Sequence, residues 1–188
     1  TNIYKQNNFL KLEFPNHVPF ELARKKRLET TITNKYMVVG AAYRYDWKQM
    51  EVWCRSLRKS GFNGAIYILN YGITQNAKLN ADNLGISLYS CTLTGGVVVD
   101  RFRDLAQLLK IIPDDVWVLF ADVADIVFQT NPIDYLKTIP DNQKLVVSSE
   151  GIHFNGNRWV DKNLIDSFPE YYDRLKNRTL YNAGTIAG

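Results

Sequence analysis

Cysteine, histidine and long apolar runs are scarce in this sequence of 188 residues. Its two cysteines, Cys54 and Cys91, are too few for a disulfide scaffold or a four-ligand zinc site. His17 and His153 lie far apart without metal-ligand spacing, so we interpret both as surface or packing residues. No apolar run approaches the roughly 20 residues that cross a bilayer, which excludes a transmembrane helix. The sequence also lacks Walker and Rossmann phosphate loops and the Gly-x-Ser-x-Gly elbow.

The excess of positive charge is confined to the beginning of the chain. Residues 1–35 contain seven Lys or Arg against three Glu, whereas residues 36–188 contain 16 of each sign. We interpret residues 1–34 as a basic N-terminal appendage, which suits peripheral contact with an anionic membrane. Because the rest of the chain is neutral, we expect no nucleic-acid partner.

The first residue is Thr1, which indicates a trimmed or processed start, and no signal-peptide core is present. We expect a cytoplasmic protein. Membrane association stays open as an alternative, and so does the lumen of the secretory pathway.

Residues 35–188 alternate between apolar runs and helical periodicity, as an α/β sheet does. Asp46 and Gln49 form the pattern of a capping box ahead of the first helix, and Asp100 is expected to cap a later one. A strand, a helix and a strand within about 35 residues predict parallel strands with a right-handed crossover. We therefore predict one domain built on an open, mainly parallel sheet with helices on both faces. Strands are expected at 36–43, 65–69, 86–90, 116–121, 145–149 and 181–188.

Polar residues follow several of these strands, where ligands bind in open α/β sheets. Asn70 follows the second predicted strand, and Asp122 and Asp125 follow the most apolar one. Two carboxylates without a basic residue between them repel each other, and a divalent cation such as magnesium or manganese would relieve the repulsion. In the alternative interpretation, both residues only cap the turn.

Two segments resemble the glycosyltransferases of the GT-A fold, which use nucleotide-sugar donors. Val118-Leu-Phe-Ala-Asp-Val-Ala-Asp-Ile-Val-Phe-Gln-Thr-Asn-Pro132 is similar to their metal-site strand, with an Asp-x-x-Asp variant of the Asp-x-Asp motif. Tyr181-Asn-Ala-Gly-Thr-Ile-Ala-Gly188 is similar to the Asn-Ala-Gly strand that follows in the same families. Arg101 or Arg103 matches a basic residue that faces the donor. The resemblance extends over roughly residues 35–188 and implies a GT-A-like domain with a Rossmann-like nucleotide-binding half.

The resemblance implies a metal-dependent transferase that moves a sugar from a nucleotide-diphosphate sugar, with UDP as the expected nucleotide, to a glycan or lipid-linked acceptor. Asp122 and Asp125 would hold manganese or magnesium, and Arg101 would contact a donor phosphate or the sugar. Family likeness alone favours retention of configuration. The other residues to which it gives a role are Ala41, Ala42 and Tyr43 at the nucleoside, Asn70 at the cofactor, and Glu150, Asn182 and Gly184 near the donor sugar.

Two of these roles have ordinary alternatives, since Tyr43 can be a strand-end aromatic and Glu150 a solvated loop residue. The sequence also departs from the family pattern. A strict Asp-x-Asp aligned on Asp125 would need a carboxylate at position 123, which is Val123. The sequence ends at Gly188, before the acceptor-binding segments, so we expect a domain truncated on its acceptor side. A catalytically inactive GT-A-like domain, used for carbohydrate binding or assembly, is the alternative function.

Overall fold

The computed structural model of the protein describes residues 35–188. The predicted basic appendage at 1–34 lies outside these residues. The strands are β1 (Tyr36–Tyr43), β2 (Ala65–Tyr71), β3 (Ser87–Ser90), β4 (Trp117–Ala121), β5 (Val146–His153) and β6 (Thr179–Ala187). The α-helices are α1 (Trp47–Lys59), α2 (Gln75–Asn83), α3 (Val97–Leu109), α4 (Pro132–Leu136), α5 (Arg158–Ser167) and α6 (Tyr172–Leu175). No helix in this part of the chain is long and apolar enough to cross a membrane.

The six strands form one sheet in the order β3-β2-β1-β4-β6-β5. β1 pairs in parallel with both β2 and β4, and β2 pairs in parallel with β3. β6 runs antiparallel between β4 and β5. The prediction of an open, mainly parallel sheet is therefore confirmed, with β6 as the strand of opposite direction.

Helices cover both faces of the sheet, as predicted. Side chains alternate along a strand, so each strand contributes to two separate cores. On one face, Val38 and Leu119 pack with buried residues of α1, α2 and α4. On the other face, Val39 and Phe120 pack with Leu108 of α3. The two faces therefore bury different helices against the same central strands.

Helix α1 forms where the sequence pattern predicts it. Asp46 Oδ1 accepts a hydrogen bond from Gln49 N at 3.2 Å, and Gln49 Oε1 accepts one from Asp46 N at 3.0 Å. This capping box satisfies two backbone donors that the first turn of the helix leaves free. The buried residues of α1 are the five that recur at helical spacing, Trp47, Met50, Trp53, Cys54 and Leu57.

Two features of the helices were not predicted correctly from the sequence. Helix α2 was not predicted at all, because its buried positions are the small residues Ala77 and Ala81 and form no apolar stripe. Helix α3 begins at Val97, so the prediction that Asp100 caps it is wrong. Asp100 lies in the first turn, and its carboxylate accepts hydrogen bonds from the backbone N–H groups of Thr94 and Gly95 at 2.7 Å and 3.0 Å.

The capping box of α1 gives a first prediction. We expect Asp46→Ala to lower the free energy of unfolding by about 1 kcal/mol, because the backbone N–H of Gln49 loses its side-chain acceptor. Urea denaturation followed by circular dichroism measures the change. Lys48→Ala alters an exposed residue of the same helix and should stay within about 0.5 kcal/mol of the unmodified protein. Equal effects of the two variants would contradict the role of the cap.

Candidate functional site

The candidate site lies where the connections of the sheet change direction. From β1 the chain moves outward to β2 and β3, and it then returns to β4 on the other side of β1. Helix α1, which follows β1, lies on one face of the sheet, whereas α3, through which the chain reaches β4, lies on the other. In open α/β sheets, ligands bind in the crevice outside the carboxyl ends of the strands at such a change of direction.

Asp122 directly follows β4 and faces helix α3. Because Phe120 packs on the α3 face and Ala121 on the opposite one, alternation turns the Asp122 side chain back toward α3. There Arg101 Nη1 donates a hydrogen bond to Asp122 Oδ1, and the two side chains are 17% and 21% exposed. The sequence offered Arg101 or Arg103 as the basic residue of the site, and it is Arg101 that contacts Asp122.

Burial and a second carboxylate make ionisation of Asp122 unfavourable. The pKa of Asp122 is raised above its usual value, first by burial and also by the charge of Asp125, although Arg101 acts in the opposite direction. Asp125 itself is exposed to solvent. The two predicted metal ligands therefore interact electrostatically at the end of β4.

The spacing of the two carboxylates follows from the turn between them. Val123 is 3% exposed and packs over Gly40 of β1 on the α1 face. Ala124 has a φ of 78°, a left-handed conformation that redirects the chain before Asp125. A carboxylate at position 123 would be buried in the core, so the two carboxylates beside this turn are separated by two residues.

Strand β6 connects Asp122 with the residues predicted near the donor sugar. Asp122 N donates a hydrogen bond to Gly184 O at 2.8 Å. Gly184 N donates to Asn182 Oδ1 at 2.5 Å, and Asn182 Nδ2 donates to Glu150 Oε1 at 2.5 Å. The structure thus links Arg101 to Glu150 through one chain of hydrogen bonds.

An irregularity of β6 produces this arrangement. Val147 pairs with Ile186, but two residues later Ser149 pairs with Tyr181, so β6 has extra residues between the two pairs. The segment around Gly184 belongs to this bulge. Bulges redirect side chains and occur often beside functional sites.

The predicted residues of β1 and β2 divide into core and rim. Ala42 is 1% exposed, and Ala41 packs against the core on the α3 face. Asn70 is 8% exposed, and its Oδ1 accepts hydrogen bonds from Gly72 N and Ile73 N at 3.0 Å and 2.9 Å. The Asn70 side chain therefore shapes the turn after β2. Tyr43 lies at the end of β1.

The side chain of Arg44 extends the rim beyond Tyr43. Its guanidinium carbon lies 5.1 Å from the centroid of the Tyr43 ring. Arg44 also has a φ of 54°, and its backbone N–H donates a hydrogen bond to Tyr71 O at 3.3 Å. The Arg44 guanidinium therefore lies over the Tyr43 ring at the end of β1, in a cation–π contact.

A buried charged network supports the loop ahead of α3, and sequence reasoning missed it. Asp100, Arg103 and Asp104 are each at most 6% exposed. Arg103 bridges the two carboxylates and donates to Thr94 Oγ1, while Asp104 accepts a hydrogen bond from Tyr71 OH at 2.5 Å. Alternating charges of this kind usually indicate a solvated helix face. Here they fix the loop next to Arg101.

The oxygen donors at the end of β4 fit a divalent cation. Magnesium is commonly held by one or two carboxylates, with waters and substrate phosphates at its remaining positions. Asp122 and Asp125 match such a set. Within residues 35–188 there is no group of three or more His, Cys, Asp or Glu that could hold a metal by themselves. A cation here would therefore share its coordination with water or with a ligand.

Comparison with known proteins places the chain by its fold. No protein-family model matches the sequence, and no curated protein matches it. Glucosyl-3-phosphoglycerate synthase from Mycobacterium tuberculosis in complex with uridine diphosphate is similar in structure, with a TM-score of 0.51 and 16% identity. The similarity covers 92% of this chain and 62% of that one.

The same enzyme in complex with Mn²⁺, UDP-glucose and glycerol 3-phosphate also has a TM-score of 0.51 and 16% identity. That similarity covers 93% of this chain and 63% of the other. The chain thus spans less than two thirds of these neighbours' length. The galactosyltransferase LgtC with donor and acceptor sugar analogs has a TM-score of 0.49 and 16% identity, over 80% of this chain and 56% of that one. At 16% identity, the likeness to the synthase shows the fold alone, and this fold agrees with the predicted open, mainly parallel α/β sheet.

The raised pKa of Asp122 leads to a prediction about stability. The folded protein holds the carboxyl proton of Asp122 more tightly than the unfolded chain does. The free energy of unfolding therefore falls as the pH rises from the usual Asp pKa of about 4 through the raised pKa of the folded protein. Above that window, Asp122→Asn removes the cost of ionisation, and the amide oxygen can still accept the Arg101 hydrogen bond. We expect a higher melting temperature for the variant at about pH 7 and no difference at about pH 3.

Differential scanning calorimetry at both pH values measures this effect. Asp82→Asn makes the same change of charge at an exposed position and should show no comparable gain near neutral pH. A lower melting temperature for Asp122→Asn at neutral pH would contradict the prediction.

Proposed function

We propose that this chain binds a nucleotide-diphosphate sugar together with a divalent cation and transfers the sugar to an acceptor. The observation that carries the proposal is the position of Asp122. This half-buried carboxylate lies at the switch point of the sheet, between Arg101 and Asp125. Carboxylates and a guanidinium at one crevice suit a ligand that carries both a metal ion and phosphates.

Each residue of the site has a role in this proposal. Asp122 and Asp125 hold manganese or magnesium, which when bound supplies Lewis-acid stabilisation of the departing diphosphate. Arg101 donates charge-assisted hydrogen bonds to a donor phosphate. Tyr43 offers a ring face at the end of β1 on which the base can stack, with Ala41 and Ala42 behind it.

The Glu150–Asn182 pair forms the other side of the site. Its hydrogen bond holds the Glu150 carboxylate beside the Asn-Ala-Gly segment, where a negative charge would stabilise an oxocarbenium-like transition state. Gly184 lets the donor sugar approach the backbone. Retention of the sugar's configuration, which family likeness alone favours, would be tested by analysis of the product anomer by NMR.

The proposed donor is a UDP-sugar, and the proposed acceptor is a glycan or a lipid-linked molecule. The shared fold supports this choice of donor, since the similar synthase was crystallised with UDP-glucose and Mn²⁺. The same structure contains glycerol 3-phosphate, a small phosphorylated molecule, so an acceptor panel should include small phosphates. Contact of residues 1–34 with an anionic membrane remains part of the proposal.

Donor binding tests the proposed function. We expect isothermal calorimetry to show Mn²⁺-dependent binding of UDP, and a panel of UDP-sugars to show Mn²⁺-dependent hydrolysis or transfer. Asp122→Ala and Asp125→Ala should each reduce both signals by about 100-fold or more, because each removes a metal ligand. Asp134→Ala, an exposed carboxylate of α4, is the control.

Unchanged binding in both aspartate variants would contradict the metal assignment. Binding of UDP without any turnover across the panel would favour the inactive domain instead.

Gly184 gives a second test of the site. A Cβ at this position would lie 2.5 Å from Asp122 Oδ2 and 2.9 Å from Asn182 Oδ1. We expect Gly184→Ala to displace Asp122 and to weaken Mn²⁺-dependent UDP binding by about tenfold or more, the equivalent of about 1.4 kcal/mol. Gly156→Ala is the matched control, since its Cβ would meet Ile152 at an ordinary 3.5 Å. Calorimetric titration compares the variants, and equal affinities would show that Gly184 does not shape the site.

A further inference from the structure

The carboxylate that the proposed function assigns to a cation already has one oxygen hydrogen-bonded and the other confined by the neighbouring backbone. Asp122 Oδ1 accepts the hydrogen bond from Arg101 Nη1. Asp122 Oδ2 lies against Gly184, so closely that a Cβ there would stand 2.5 Å from it. A cation that binds Asp122 therefore competes with Arg101 for the charge of the carboxylate and is repelled by the guanidinium beside it.

Arg101 is itself only partly satisfied in this position. Its Nε is buried and has no hydrogen-bond partner among the described residues. Its guanidinium carbon lies 4.9 Å and 5.7 Å from the ring centroids of Phe102 and Phe120. Aromatic faces attract a cation, but they do not replace a full hydrogen-bond acceptor. Arg101 therefore keeps donor capacity that a group with several anionic oxygens could use.

A diphosphate is such a group. Guanidinium binds phosphate oxygens through two parallel hydrogen bonds, which are stronger and more directional than the single hydrogen bond to Asp122. When a phosphate takes the guanidinium, Oδ1 of Asp122 becomes available. Asp122 is then a half-buried carboxylate beside Asp125 without its neutralising partner, which is an unfavourable state until a cation binds.

We propose that Arg101 is an internal counter-ion that occupies Asp122 in the free protein and passes to the diphosphate when the donor binds. This inference rests on the proposed function. It makes metal and nucleotide binding cooperative, because each ligand removes the competitor of the other. By linkage, the factor by which UDP tightens Mn²⁺ must equal the factor by which Mn²⁺ tightens UDP.

Mn²⁺ binding to the full chain, with and without UDP, tests the coupling. Electron paramagnetic resonance reports free Mn²⁺, and a protein-free titration corrects for the complex that UDP forms with Mn²⁺. We expect UDP to tighten Mn²⁺ binding to the unmodified protein by about tenfold or more. In Arg101→Met, Mn²⁺ alone should bind about tenfold more tightly than in the unmodified protein, and most of the coupling should be lost.

Arg55→Met is the matched control for this variant. It removes the same charge and likewise breaks an arginine–carboxylate pair, since Arg55 Nε donates to Glu51 Oε1 at 2.6 Å on the surface of α1. Mn²⁺ affinity and coupling should be unchanged. Arg101→Lys keeps the positive charge without the two-pronged geometry, and its Mn²⁺ affinity should lie between those of the unmodified protein and Arg101→Met. Arg101→Lys also decides the test if Arg101→Met does not fold.

The outcomes separate this inference from the proposed function. Weaker or unchanged Mn²⁺ binding in Arg101→Met would overturn the counter-ion role and would mean that Arg101 orients Asp122. If Mn²⁺ and UDP bind in an Asp122-dependent manner without coupling, only the present inference fails. If neither ligand binds the unmodified protein, the proposed function fails as well.

Discussion

The site depends on the packing of Val123 against Gly40 at the centre of the sheet. Gly40 has no side chain, and Val123 uses this space to pack over β1. With Val123 anchored on the α1 face, the alternation of β4 presents Asp122 to α3, and the left-handed Ala124 carries the chain on to Asp125. A single missing Cβ therefore determines the positions of two carboxylates. The catalytic chemistry that we propose follows from this packing constraint.

The sequence predicted the central fold well because its signals are local. An apolar run marks β1, and the capping box with five apolar positions marks α1. The carboxylates after β4 could also be found, since they directly follow an apolar strand, where ligands bind in open α/β sheets. Asp122, Asn182 and Glu150 lie together because β4, β6 and β5 are neighbours in the sheet. The resemblance to a known family had already assigned these residues to one site.

Other parts of the structure could not be predicted because their signals depend on tertiary contacts. In the sequence, Asp100, Arg103 and Asp104 have the pattern of a solvated helix surface. They are buried only because Tyr71 and the loop at 92–96 pack against them. The sequence could not show which arginine contacts Asp122. Arg101 and Arg103 are only two positions apart, and the orientation of α3 decides that Arg101 is the partner. The bulge of β6 leaves no pattern in the sequence, although Gly184 is a sign of close backbone approach.

The central position of β6 has a consequence for how the protein acquires its site. β5 joins the sheet through β6 and not through β4, although β5 precedes β6 in the chain. One edge of β4 is therefore paired only when residues 179–187 are in place, and β5 belongs to the sheet only through β6. Pairing between strands so distant in sequence slows folding. Asp122 N donates its hydrogen bond to Gly184 O only through the pairing of β6 with β4, so the candidate site is complete only when β6 is paired.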